Sequence, residues 1–213
     1  MKIPVKARAI DRMLDGGFEP GILTEIYGEA GTGKTNICMQ LGREVVYFGK
    51  KVVYIDTEGL SLERLKQICG DGYDQVVKGF LISKPNSLDE QEKTIRQVKR
   101  IPDIGLVVVD SVNMYARLIS EEEHGVDRAF FRQIILLHNI ARELNVPVIV
   151  TAQVYSSGQD VLPFSGLIMA HIAKVIIRLE KVGMGLRRAV IMKHRSISEG
   201  RTAEFKLTQN GIE

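Results

Sequence analysis

Cysteine is scarce in this sequence, which contains only Cys38 and Cys69 among its 213 residues. Their spacing fits neither a zinc site nor a redox motif, and it gives no sign of an oxidising compartment. A chain of this length can bury a sizeable core without disulfides or a structural metal. Cys38 lies within an apolar helical pattern, so we expect it to be a buried free thiol.

Long apolar runs are also missing. The first residues, MKIPVKARAIDRMLDGG, lack an apolar stretch long enough for a signal peptide. The longest apolar runs, such as residues 104–110, are far too short to cross a bilayer. We therefore expect a cytoplasmic protein without a membrane partner.

A large charge excess is absent too, since the formal net charge is only +3. The distribution is less even, because residues 171–213 carry nine Lys or Arg against four Asp or Glu, a net of about +5. This segment could form a basic face for nucleic acid, or its side chains could simply be solvated at strand edges. Both interpretations stay open at this point.

Apolar strand-like runs alternate with amphipathic helical patterns along most of the chain. This alternation predicts an α/β fold with a mainly parallel sheet flanked by helices. The last third instead predicts antiparallel strands joined by a Gly-rich turn. The strand-like runs are residues 21–27, 51–57, 76–83, 104–110, 146–154, 173–181, 186–194 and 201–211. The helical patterns are 34–48, 61–69 with Ser61 as cap, 87–100 with Ser87 as cap, and 127–144.

The segment GEAGTGKT matches the phosphate-loop pattern G-x-x-x-x-G-K-[ST]. It follows a predicted strand and opens a predicted helix, so its backbone N–H groups can bind phosphate oxygens. Lys34 would reach the β- and γ-phosphates of ATP, and the Thr35 hydroxyl would hold Mg²⁺. The predicted nucleotide-binding residues are Gly28, Glu29, Ala30, Gly31, Thr32, Gly33, Lys34 and Thr35.

Three polar residues follow other predicted core strands. Asp110 ends LVVVD, at the sheet edge where open α/β sheets bind ligands, and would complete the Mg²⁺ site. Glu58 in YIDTEG could accept a proton from water, and Gln153 in VTAQV could contact the γ-phosphate. Taken singly, Glu58 would be read as an exposed loop residue and Gln153 as an ordinary polar residue at a strand end.

Together, GEAGTGKT, YIDTEG, LVVVDS and TAQV follow the order and spacing of the archaeal and eukaryotic branch of the RecA recombinase superfamily, which this chain resembles over nearly its whole length. The resemblance implies a RecA-like P-loop NTPase core spanning residues 1–213 as a single domain. It also implies that Lys34 and Thr35 hold phosphates and Mg²⁺, Asp110 the metal, and Glu58 the attacking water. Gln153 would link the nucleotide to the DNA-binding loops.

The chain also departs from the full recombinases of that superfamily. They carry an N-terminal helical DNA-binding domain and a Phe-x-x-Ala segment that docks into the next subunit, whereas the resemblance here begins near Ala7 and we expect both to be missing. The first DNA loop would be SEEEHG at residues 120–125, which is acidic and would repel phosphate. The second, residues 154–165, has no Lys or Arg.

Basic residues near the C-terminus offer other contacts. Lys193 and Arg195, in KHR, resemble an element that reaches the γ-phosphate of an adjacent subunit in RecA-like hexameric helicases. They could instead bind the DNA backbone or be solvated, and all three roles stay open. Arg187 and Arg188 are further candidates for contact with DNA.

The resemblance and the departures together favour an accessory protein of homologous recombination and DNA repair. It would bind ATP, Mg²⁺ and single-stranded or branched DNA, hydrolyse ATP weakly, and assist a full-length recombinase, with a homodimer as one assembly. The alternatives are an autonomous strand-exchange recombinase and a RecA-core signalling ATPase or kinase.

Overall fold

The structure, a computed structural model, describes residues 1–119, 126–157, 160–163 and 166–213. Its strands are β1 Leu23–Gly28, β2 Lys51–Asp56, β3 Phe80–Ser83, β4 Ile104–Asp110, β5 Val148–Ala152, β6 Val154–Ser157, β7 Asp160–Pro163, β8 Val175–Lys181, β9 Leu186–His194, β10 Thr202–Thr208 and β11 Gly211–Ile212. Its helices are α1 Arg8–Met13, α2 Lys34–Tyr47, α3 Leu62–Cys69, α4 Tyr73–Gly79, α5 Leu88–Gln97, α6 Met114–Ile119, α7 Val126–Leu144 and α8 Gly166–Ile172.

Nine of these strands form one sheet in the order β11-β10-β9-β8-β1-β5-β4-β2-β3. From β8 to β3 every pairing is parallel, whereas β8 with β9, β9 with β10 and β10 with β11 are antiparallel. The predicted fold class is therefore confirmed. β1 lies in the middle of the sheet, so the phosphate loop leaves from a fully buried central strand.

The sheet separates two hydrophobic clusters. On β4, Val108 faces the cluster that includes residues of α1 to α4, while Val107 and Val109 face the cluster built with α5, α7 and α8. Because successive side chains of a strand point to opposite faces, a strand covered by helices on both sides must be apolar throughout. This explains the uninterrupted apolar runs in the sequence.

Helix caps follow the sequence prediction. The Ser61 side chain accepts a hydrogen bond from the Arg64 N–H at the start of α3, and Ser87 accepts one from Glu90 at the start of α5. Each satisfies one backbone donor that the helix itself cannot pair.

The prediction of a strand over residues 76–83 was wrong in its first half. Residues up to Gly79 belong to α4, and only Phe80–Ser83 form β3. Val76 is fully buried in the cluster beside α2, so tertiary packing outweighed the β preference of the paired valines. The sequence patterns also did not predict α1, α6, α8 or the antiparallel pair of β6 and β7.

Among the residues that the structure describes, no helix is both long enough and apolar enough to cross a membrane. The acidic segment at residues 120–125 lies outside the described residues, as do positions 158–159 and 164–165 of the second predicted loop.

Candidate functional site

The phosphate loop connects the end of β1 to the start of α2. Gly33 caps α2 with a φ of +102°, a left-handed conformation that disfavours side chains with a Cβ atom. Gly28 packs so closely on β8 that a Cβ atom would lie 2.4 Å from the carbonyl oxygen of Leu179. The Ile37 N–H donates to Gly33, so the N–H groups of the first turn before it have no partner within the helix. Such a turn binds anions.

Lys34 is buried within this loop. Its Nζ donates to the carbonyl oxygens of Gly28 at 2.7 Å and Glu29 at 3.0 Å. Burial lowers the pKa of Lys34, and the negative charges of Glu58 and Asp110 oppose that shift. The amine is therefore held inside the phosphate cradle, between the loop and two carboxylates.

Asp110 is the centre of a buried group of hydroxyls. Its Oδ2 accepts hydrogen bonds from Thr35 Oγ1 at 2.7 Å and from Tyr54 at 2.6 Å, while Oδ1 accepts one from Thr151. Burial and the adjacent charge of Asp110 raise the pKa of Tyr54 well above its usual value, so this phenol stays a donor. Oxygen atoms of a carboxylate and a hydroxyl are the ligands that Mg²⁺ prefers, so Thr35 and Asp110 fit the expected metal.

Glu58 and Gln153 meet at the same edge of the sheet. Gln153 Nε2 donates to Glu58 Oε1 at 2.9 Å, and the Ser111 hydroxyl donates to the same oxygen. The side chain of Asn113 holds the backbone of Gln153, donating to its carbonyl at 3.2 Å and accepting from its N–H at 3.4 Å. The carboxylate is thus oriented by groups that follow β4 and β5.

Lys34, Thr35, Glu58 and Gln153 line one open cavity of about 150 Å³. Its lining residues are Ala30, Gly31, Gly33, Lys34, Thr35, Asn36, Glu58 and Gln153. The cavity combines backbone N–H donors of the first turn of α2, a buried lysine and the Glu58 carboxylate, and Asp110 is hydrogen-bonded to the lining residue Thr35. Phosphate groups with a hydrated divalent cation fit this set of donors and acceptors.

The four basic candidates contact four different partners. Arg187 donates from Nε to the Gly31 carbonyl of the phosphate loop at 2.9 Å, whereas Arg188 pairs with Glu204 at 2.8 Å. Lys193 donates to the carbonyl of Ala170 at 2.5 Å, and Arg195 pairs with Glu19. Adjacent residues of β9 point to opposite faces of the sheet, which separates Arg187 from Arg188.

Sequence reasoning missed four residues that support this site, namely Tyr54, Ser111, Asn113 and Thr151. Tyr54 and Thr151 are polar groups inside otherwise apolar buried strands, which is a signal that could have found them. Ser111 and Asn113 lie one and three residues after Asp110 in sequence but are fully buried, so only the fold reveals their partners.

The profile of the Rad51 family matches residues 1–213. The chain is 43% identical over 212 residues to the DNA repair and recombination protein RadB of Methanococcoides burtonii, covering 96% of this chain and 94% of that protein. It is 39% identical over 218 residues to the protein of the same name from Thermoplasma acidophilum, covering 99% and 93%.

A solved structure described as the RadB recombinase superposes with a TM-score of 0.88 at 36% identity, covering 99% of this chain and 98% of that one. The resemblance predicted from the four motifs is confirmed over nearly the whole length. The agreement of profile, relatives and structure establishes that the chain belongs to the Rad51 family.

Proposed function

We propose that this chain is an ATP- and DNA-binding accessory protein of homologous recombination and DNA repair, with a weak ATPase activity, which assists a full-length recombinase. One observation carries the proposal. Lys34, Thr35, Glu58 and Gln153 follow three separate strands and line one cavity, and Asp110, at the end of a fourth strand, is hydrogen-bonded to Thr35. The printed names of the relatives, DNA repair and recombination proteins, support the same biological role.

Each residue of the site has a separate role in ATP hydrolysis. Lys34 and the first-turn N–H groups of α2 hold the phosphates, and Thr35 with Asp110 holds the metal. Bound Mg²⁺ would neutralise charge on the phosphate oxygens. Glu58 orients a water molecule and accepts its proton, since Ser111 and Gln153 fix the carboxylate in place.

Gln153 also connects the nucleotide site to the second predicted DNA loop. Its side chain contacts Glu58, and the next residue begins β6, the first strand of that loop. A shift of Gln153 toward a γ-phosphate would pull on β6, with Asn113 as the fixed point. This contact is a route by which ATP could change the affinity for DNA or for a partner.

Lys193 and Arg195 are the residues that we propose for contact with DNA or with a neighbouring subunit. Arg195 is exposed, and its partner Glu19 is 8% exposed. Lys193 donates to the backbone carbonyl of Ala170. Phosphate contacts by these residues would make DNA binding weaken steeply with salt.

The decisive experiment measures ATP hydrolysis with and without single-stranded DNA, and strand exchange by a full-length recombinase with and without this protein. We expect slow hydrolysis by the protein alone and faster strand exchange by the recombinase in its presence. If the protein binds neither ATP nor DNA and leaves the recombinase unchanged, the proposed function is wrong.

An autonomous recombinase is the second candidate, because the similar solved structure is described as a recombinase. Strand exchange with no partner protein separates the two functions. Product formed by this chain alone, and lost in Lys34→Ala, would favour the autonomous enzyme.

A further inference from the structure

Arg187 ties the turn between β8 and β9 to the phosphate loop. Its Nε donates to the carbonyl oxygen of Gly31 at 2.9 Å. Its Nη1 donates to the carbonyls of Leu186 at 2.9 Å and Gly183 at 3.2 Å. The planar guanidinium therefore links the phosphate loop to a turn that lies more than 150 residues away in sequence.

The Gly31 carbonyl is a group whose direction matters for an anion site. Gly31 has a φ of +75°, and a glycine lets the following peptide rotate at little cost. A carbonyl oxygen turned into the cradle would place negative partial charge against phosphate. Gly31 lines the cavity, whereas its carbonyl oxygen accepts a hydrogen bond from Arg187, which is not among the cavity's lining residues.

A charged donor is suited to this task. A hydrogen bond from a guanidinium is about twice as strong as one between neutral groups. The nearby Lys181 is 3.7 Å from Glu29 and both of those side chains are largely solvated, so that ion pair holds the loop only weakly. Arg187 therefore adds a charge-assisted hydrogen bond at Gly31 to the Lys181–Glu29 ion pair and to the strand pairing of Gly28 with β8.

We propose that Arg187 is a positioning residue of the phosphate loop, which keeps the Gly31 carbonyl out of the cradle so that the loop presents donors to ATP. The inference rests on the proposed ATP-binding function and assigns Arg187 to the nucleotide site in place of the DNA contact predicted from sequence. Because Glu58 is oriented separately, Arg187 acts on nucleotide affinity and leaves the hydrolytic step to other residues.

The test compares three variants of the full chain without DNA: Arg187→Ala, Arg187→Lys and Arg188→Ala. Binding of ATP and the kcat and KM of hydrolysis are measured for each, with the melting temperature of the nucleotide-free protein as the folding check. Arg187→Ala should weaken ATP affinity by about tenfold and raise KM while kcat is nearly unchanged. Arg187→Lys, which retains a charged donor, should recover most of the loss.

Arg188→Ala removes the same charge one residue away but on the face that contacts Glu204, so its ATP affinity should stay within about twofold of wild type. An Arg187→Ala protein that folds and binds ATP as wild type does, while Lys34→Ala loses binding, overturns this inference alone. An equal loss of ATP affinity in Arg187→Ala and Arg188→Ala also overturns the inference, because the effect would then depend on charge and not on the contact with Gly31. A wild-type protein that binds no ATP refutes the proposed function itself.

Discussion

At the residue scale, Lys34 is a buried charged side chain at the centre of the candidate site. It is 6% exposed, donates to two loop carbonyls and lies between Glu58 and Asp110. Its burial is tolerated because its three protons can be shared among oxygen atoms. The same enclosure that lowers its pKa prepares it for phosphate, whose charge would compensate for the lost hydration.

Lys34→Ala should abolish measurable ATP binding without unfolding the protein, since the lysine supplies charge to the cradle and little packing. Isothermal titration with ATP and Mg²⁺ measures binding, and circular dichroism checks the fold. Lys66→Ala, an exposed lysine on α3, is the matched control and should bind normally. Unchanged ATP affinity in the folded Lys34→Ala protein would remove the basis for the site.

Glu58→Gln should retain ATP and Mg²⁺ but hydrolyse about 10²–10⁴-fold more slowly, because an amide cannot accept the proton of water. Single-turnover hydrolysis is the measurement to use, so that product release does not mask the chemical step. Glu63→Gln removes an exposed carboxylate nearby in sequence and should leave the rate unchanged. Wild-type hydrolysis by Glu58→Gln would show that another group is the base.

Burial is the main influence on the chemistry of the two cysteines. Both are free and buried, as expected for Cys38. Burial raises the pKa of Cys69 to about 11, and that of Cys38 well above its usual value. The reactive thiolate is therefore rare near neutral pH, which agrees with a structural role.

At the element scale, α2 connects the chemistry to the core. It begins at the phosphate loop, and its C-terminal part packs against β4. There, Val45 of α2 and the following Lys50 pack closely on Gly105. Strand preference alone would favour a residue with a side chain at position 105. The close packing of Val45 and Lys50 leaves no room for a side chain at this position.

Gly105→Ala should lower the free energy of unfolding by about 1–3 kcal/mol, the usual cost of overpacking. The new Cβ would lie 2.6 Å from Lys50 Cβ and 2.7 Å from Val45 Cγ1. Gly183→Ala, where nothing lies within 4 Å, is the control and should be nearly neutral. Urea denaturation of both proteins makes the comparison, and equal stability of the two would contradict the packing argument.

At the scale of the whole molecule, the two edges of the sheet differ. β3 forms one edge beside parallel strands, and β11 forms the other beside antiparallel ones. The 213 residues contain no Phe-x-x-Ala segment, the element that full recombinases of this superfamily dock into the next subunit. The accessory role proposed above would have the protein cap or seed the filament of a full-length recombinase without extending a filament of its own.

We expect monomers or dimers, and no long filaments, when the protein is mixed with ATP, Mg²⁺ and single-stranded DNA. Negative-stain electron microscopy and sedimentation velocity measure the assemblies, with a full-length recombinase as the positive control for filaments. Long regular filaments formed by this protein alone would refute the accessory role and favour the autonomous recombinase.

The sequence by itself determined the phosphate loop, the fold class and the family resemblance. The phosphate-binding residues of GEAGTGKT are contiguous, so the motif can be recognised from the sequence alone. Continuous apolar runs are sufficient to indicate a sheet buried on both faces. Asp110, Glu58 and Gln153 could be placed at one edge because parallel strands end together. Predictions about residues 120–125 stay predictions from sequence.

The tertiary structure alone decided which distant side chains meet. Tyr54 and Thr151 reach Asp110 because β2 and β5 flank β4, an order that no local pattern encodes. Because β8 pairs with β1, the β8–β9 turn lies beside the phosphate loop. Arg187 therefore contacts Gly31, while Arg188 contacts Glu204. Local sequence fixes periodicity and loop chemistry, whereas strand order and register depend on how the whole core packs.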